Sequence, residues 1–210
     1  MGSSESSQNH LDYLIDNSKA ESIKIDNYII KRAYIGLCKL DNSTIKRWAV
    51  GVNYVHASIF LGSSNEFLSE GIILEFGFYD YEDDKRIKYE YETEGGMRYG
   101  KMAYSNFKKY QASSAIINLD LRKSPKIKFN YLIEKVKEAG NWKKNGYNVA
   151  FHNCQHFIGE IVKILKPQFD VVGIIPGDNS DLIEGKNIEQ IIPNSILSVL
   201  KGEEKSKYEN

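Results

Sequence analysis

Cysteine and proline are scarce in this chain of 210 residues, which holds 2 of the former and 4 of the latter. Cys38 and Cys154 lie in differently patterned segments. They offer no paired spacing of the kind a disulfide framework or a zinc ribbon needs, and a reducing compartment fits best. Charge of neither sign is in surplus, because Lys plus Arg and Asp plus Glu both number 28. Nothing therefore drives binding to phosphate backbones or anionic lipid, and no nucleic-acid partner is expected. Long hydrophobic runs are missing too. No stretch approaches the roughly 20 apolar residues that cross a bilayer, and the N-terminus lacks the charged start and apolar middle of a signal peptide. A cytoplasmic protein is expected.

What the chain does have is apolar material. Hydrophobic residues make up 41% and aromatic ones 12%, enough for one sizeable core in a length too short for two. The expected organisation is a polar, partly disordered segment over 1–27, one domain over 28–200, and a charged, disordered tail over 201–210. From Tyr28 to about Tyr104 the chain is rich in Tyr, Ile, Val and Phe and is broken by Asp41-Asn42-Ser43, Ser63-Ser64-Asn65 and Gly95-Gly96. That punctuation predicts an antiparallel meander with strands near 32–40, 46–61, 71–79 and 86–93, and Ala115–Leu121 reads as one further strand. The period then lengthens: apolar residues at helical spacing predict amphipathic helices within 127–144 and over 154–165. An α+β fold follows, with an antiparallel sheet packed against helices.

The densest cluster of reactive side chains is His152-Asn153-Cys154-Gln155-His156-Phe157, where an irregular segment gives way to the second helix. Asn153 is a good N-cap. Cys154 then falls in the first turn, where unpaired N–H groups and the positive end of the helix dipole favour thiolate over thiol. The N–H groups around Asn153 and Gln155 could also hold the oxyanion of an acyl-transfer intermediate. The bland alternative is a small buried hydrophobe. That is the reading for Cys38, which lies mid-strand between Leu37 and Leu40 with no polar neighbour to activate it.

A nucleophilic thiol needs a base. His10 lies in the polar tail, His156 is about 200° around the helix from Cys154, and His152 precedes the capping turn. His56 sits in Trp48–Leu61, a run apolar on both faces, and on one alternation shares a face with Trp48, Tyr54, Ser58 and Phe60. In the next strand, Glu75 is the one charged residue of Ile72–Phe78, and buried carboxylates are rarely left unpaired. If the two strands pair antiparallel, Glu75 can lie opposite His56 and orient its ring; a surface-facing Glu on an edge strand is the other possibility. His152, Cys154 and His156 also spell His-x-Cys-x-His. Helical periodicity from Cys154 onward spoils the shared face a metal site needs and no fourth ligand is evident, so no metal is expected.

The His-bearing strand Val55-His56-Ala57-Ser58-Ile59-Phe60, followed far downstream by Asn153-Cys154-Gln155-His156-Phe157 opening a helix, resembles the permuted papain-like superfamily. Lecithin retinol acyltransferase-like proteins, with Asn-Cys-Glu-His-Phe, and PPPDE-type thiol peptidases belong to it. The resemblance covers roughly Trp48 to Leu165. It implies a circularly permuted papain-like fold, with Cys154 as nucleophile and His56 as base. The acyltransferase group usually carries a second His on the following strand, where this chain has Glu75, and Gln155 replaces the Glu after Cys. An uncharacterised branch is implied. Gly95-Gly96-Met97-Arg98-Tyr99-Gly100 either belongs to that branch or is a glycine-rich hairpin turn.

The expected activity is a cysteine-dependent hydrolase or acyltransferase that cleaves or transfers at amide, isopeptide or ester bonds through a thioester, needs no cofactor, and acts on an acyl-lipid or a protein or peptide substrate. Trp48, Tyr54 and Phe76 are expected to line the substrate. The competing expectation is a catalytically silent domain that binds a peptide or membrane partner. Finally, Met1-Gly2-Ser3-Ser4-Glu5-Ser6 matches the pattern for N-myristoylation at Gly2. A chance or vector-derived Met-Gly-Ser-Ser reads the same way. If Gly2 is acylated, weak membrane association is expected.

Overall fold

The computed structural model describes residues 25, 28–39, 55–63, 70–77, 88–92, 96–121, 127–148, 151–165, 170–176 and 192–201. Nine strands are described: β1 (Ile29–Ile30), β2 (Arg32–Lys39), β3 (Val55–Gly62), β4 (Glu70–Phe76), β5 (Lys88–Glu92), β6 (Met97–Ala103), β7 (Ala115–Asp120), β8 (Ile127–Lys128) and β9 (Asp170–Pro176). The helices are α1 (Tyr104–Asn106), which runs on into a π-helical turn over Phe107–Gln111, then α2 (Phe129–Ala139), α3 (Cys154–Leu165) and α4 (Asn194–Lys201). Seven strands form one antiparallel sheet in the order β5-β6-β4-β3-β2-β7-β9, and β1 pairs with β8. The fold is α+β, as its patterning implies.

Strand alternation divides the sheet into two buried faces. Ile35, Leu37, Ala57, Ile59, Leu61, Ile72, Leu74 and Phe76 point to one side and pack with α2, α3 and α4. From α3 this side takes Phe157, Ile158, Ile161, Val162 and Leu165, all fully buried, and each such side chain is worth ~1.5–3 kcal/mol of gross burial. The opposite side holds a smaller core of Phe60, Ile73, Met102, Phe107, Ala112 and Ile116, with Tyr34 and Tyr104 against it. His56, Ser58 and Glu75 share this second face, because they alternate with the first set.

Several elements differ from their sequence-based expectation. The helix expected within 127–144 covers Phe129–Ala139, since Ile127 and Lys128 are taken by β1 and the chain is fully extended at Gly140. The glycine-rich segment read as either a branch feature or a hairpin turn leads into β6, which pairs antiparallel with β5 and whose Arg98 lies directly across from Glu75. β9, at one edge of the sheet, was not expected at all. Of the strand expected over 46–61, residues 46–54 lie outside the described residues, as do Trp48, Tyr54 and Gly2. Among the described residues no helix is long and apolar enough to cross a membrane.

Candidate active site

The site forms where one strand ends before its neighbour. β4 pairs with β3 from Ser58↔Glu75 to Leu61↔Ile72, so Val55 and Ala57 lie beyond that ladder. The N-terminus of α3 docks there. Gln155 Nε2 donates to the Val55 carbonyl at 3.0 Å, and the Cys154 sulfur lies 3.9 Å from the same oxygen. Asn153 caps the helix as its residue type predicts: Oδ1 accepts from the N–H of Gln155 at 2.9 Å and of His156 at 3.2 Å. Cys154 is thus the first residue of α3, buried, at the positive end of the helix.

His56 stands between this thiol and a carboxylate. Its Nε2 is 3.4 Å from Glu75 Oε2, and the Cys154 sulfur, packed against the carbonyl of the adjacent Val55, is close enough to act on its charge. Glu75 is not opposite His56 but diagonal to it, across from Ser58, a separation within reach of long side chains. Nor is it a surface residue of an edge strand, for it is fully buried between β3 and β6. Its other oxygen, Oε1, accepts from Arg98 Nε at 2.8 Å. Cys154, His56, Glu75 and Arg98 therefore form a connected chain in which potential negative and positive charges alternate.

Burial opposes charge on His56, yet the Cys154 thiolate and the Glu75 carboxylate outweigh it and push the imidazole up to about 10. Burial likewise opposes the Cys154 thiolate, but His56 and the backbone N–H groups of Ala57 and Gln155 hold the thiol below its usual range. Both shifts run in the direction of a thiolate–imidazolium pair. Comparison with protein-family models, with curated proteins and with solved structures returns no match. What the chain can do must be argued from these side chains.

The other reactive residues take different partners. His152 stacks on Trp142 with ring centroids 4.4 Å apart and meets Phe76 edge-on at 5.4 Å. His156 Nδ1 contacts Asn153 Oδ1 at 2.9 Å. Neither joins Cys154 in a common ligand set, and among the described residues there is no metal-holding group. Two expectations need correction. Phe76 does not line a substrate surface: it is fully buried and packs against Trp142, Tyr147, His152 and Phe157, because it lies on the helix-facing side of β4. Cys38 is not a core residue without polar neighbours. It is half-buried, pairs across the sheet with His56, and accepts a hydrogen bond from Ser113 Oγ at 3.3 Å. Arg98 was read only as part of the glycine-rich segment, with no role of its own. A charged residue after two glycines looks like a turn, and only the register of β6 brings it to Glu75.

Proposed function

We propose that this protein is a cysteine-dependent hydrolase or acyltransferase that acts on amide, isopeptide or ester bonds. The observation that carries the reading is His56 3.4 Å from the Glu75 carboxylate, with the Cys154 sulfur at the N-terminus of α3 docked on the carbonyl of the adjacent Val55. A strand-borne His that precedes a helix-borne Cys also supports a circularly permuted papain-like arrangement, with the nucleophile at the helix N-terminus.

The chemistry follows from the charges. The Cys154 thiolate attacks the substrate carbonyl carbon, and the oxyanion that forms is met by the N–H of Cys154 rather than by that of Gln155. Gln155 and His156 already donate to Asn153 Oδ1, and Phe157 donates to the Asn153 carbonyl. The N–H of Cys154 itself is the remaining first-turn donor. As the intermediate collapses, the carbon–nitrogen or carbon–oxygen bond breaks and imidazolium His56 gives its proton to the departing amine or alkoxide. A thioester on Cys154 remains. Neutral His56 then takes a proton from water, or from an acceptor nucleophile, as it attacks the thioester, and the thiolate leaves with imidazolium restored. Glu75 keeps the ring turned toward sulfur in both halves.

The test is a panel of acyl-lipid, peptide and ubiquitin-like electrophilic probes offered to the intact protein. A covalent adduct on Cys154 that is lost in His56→Ala supports the proposal and names the substrate class. If no probe labels Cys154 faster than Cys38, the proposal fails.

A further inference from the structure

We propose that Arg98 is a positioning residue of the Cys154 site: it fixes the Glu75 carboxylate and through it the His56 ring. The inference rests on the thiol-catalysis reading above.

A carboxylate buried in a sheet needs a counter-charge if it is to act as an anion. Arg98 supplies one on Oε1 at 2.8 Å, so Oε2 is the oxygen presented to His56. Both residues are nearly or fully buried, Arg98 at 5% exposure and Glu75 at 0%. The planar guanidinium sets the orientation of the carboxylate as well as its charge. The sequence places Arg98 firmly. Gly96 immediately precedes its strand, and a Cβ there would come within 2.3 Å of the Trp142 carbonyl oxygen, so only glycine allows that approach. Met97 N–H then donates to the same carbonyl at 2.7 Å. Trp142 in turn stacks on His152, two residues before the nucleophile. The segment that opens β6 therefore reaches the site twice, directly at the carboxylate and through Trp142 at the loop that delivers Cys154.

The groups that face His56 are Cys154 from α3, Glu75 from β4 and its cross-strand partner Cys38 from β2. Those that face Glu75 are Arg98 from β6 with His56 and Ser58 from β3. If Arg98 acts through Glu75, its removal matters only while Glu75 is charged.

The experiment is the pH dependence of Cys154 alkylation by iodoacetamide in the full chain. It compares wild type, Glu75→Gln, Arg98→Met, Arg98→Lys and the double variant Glu75→Gln/Arg98→Met, with circular dichroism confirming each fold. Glu75→Gln and Arg98→Met are each expected to raise the midpoint by about one pH unit, a tenfold loss of thiolate below it. The double variant should match Glu75→Gln alone, and Arg98→Lys should recover part of the shift. Should Arg98→Met not fold, the double variant and Arg98→Lys still decide the matter, because the double variant leaves no lone buried charge. Additive shifts, or a folded Arg98→Met with the wild-type midpoint, overturn the proposal. A wild-type midpoint at the ordinary thiol value instead overturns the thiol-catalysis reading on which it rests.

Discussion

Replacing Cys154 by alanine should return His56 to ordinary behaviour, and the size of that change measures the ion pair. The imidazole is raised from 6.5 to about 10, which corresponds to about 5 kcal/mol of interaction favouring its charged form. Burial works against that form, and Cys154 is the larger of the two groups that overcome it, with Glu75 second. In Cys154→Ala only the diagonal carboxylate at 3.4 Å remains to offset burial. The midpoint should therefore fall by on the order of two pH units or more. The assay is an NMR titration of the imidazole resonances from about pH 5 to 11 in both proteins. The signs also fix the pH behaviour of wild type. The folded pKa of His56 is raised, so its stabilising contribution is complete below 6.5 and lost as pH rises through about 10. The folded pKa of Cys154 is lowered, so its contribution is complete above 9.0 and lost as pH falls through the depressed value. Turnover, which uses imidazolium as acid, should decline above about 10 while alkylation, which needs thiolate alone, persists. An unchanged His56 midpoint in Cys154→Ala, or a wild-type midpoint near 6.5, refutes the ion pair.

Three further outcomes are expected. Iodoacetamide at neutral pH should modify Cys154 ahead of Cys38 by mass spectrometry, and His56→Ala should slow this about tenfold or more, whereas His152→Ala should chiefly lower the melting temperature by emptying the face of Trp142. Glu75→Gln, which keeps an amide oxygen to accept from Arg98, should fold and lose most activity; Glu75→Ala, which removes that acceptor as well as the charge, should also lose ~3–5 kcal/mol in urea titration. If Gly2 is myristoylated in a eukaryotic cell, fractionation should find the protein only partly on membranes, because residues 3–18 contain no Lys or Arg to supply a second anchor. Intact mass shows whether Gly2 is modified, and a wholly membrane-bound acylated form would contradict that arithmetic.

The helical half of the site was legible because its rules are local. Asn153 caps and the apolar spacing from Phe157 to Leu165 marks the buried stripe, so α3 spans the expected residues. Glu75 was legible as a lone charge in an apolar strand. The facing of His56 followed from alternation, but its register against Glu75 did not, since a slip of two residues preserves every face. Arg98 was hidden for a related reason. Its strand alternates Arg98, Gly100 and Met102 on one side with Tyr99 and Lys101 on the other, and that pattern has no apolar face to betray burial. β9 lies at an edge and bears exposed Val171, Val172 and Ile175, so its apolar run resembles neither an alternating strand nor a helix.

The docking of α3 on β3 joins groups 99 and 100 residues apart in sequence, Cys154 and Gln155 with Val55. A chain still emerging from the ribosome exposes His56, Glu75 and Arg98 long before it has made Cys154. Even then the helix dipole, the imidazole and the backbone donors reach the thiol only after the sheet has closed. Until then Cys154 is an ordinary thiol. Its reactivity therefore reports completed folding, and a population that traps electrophiles quickly is one in which both halves of the chain have met.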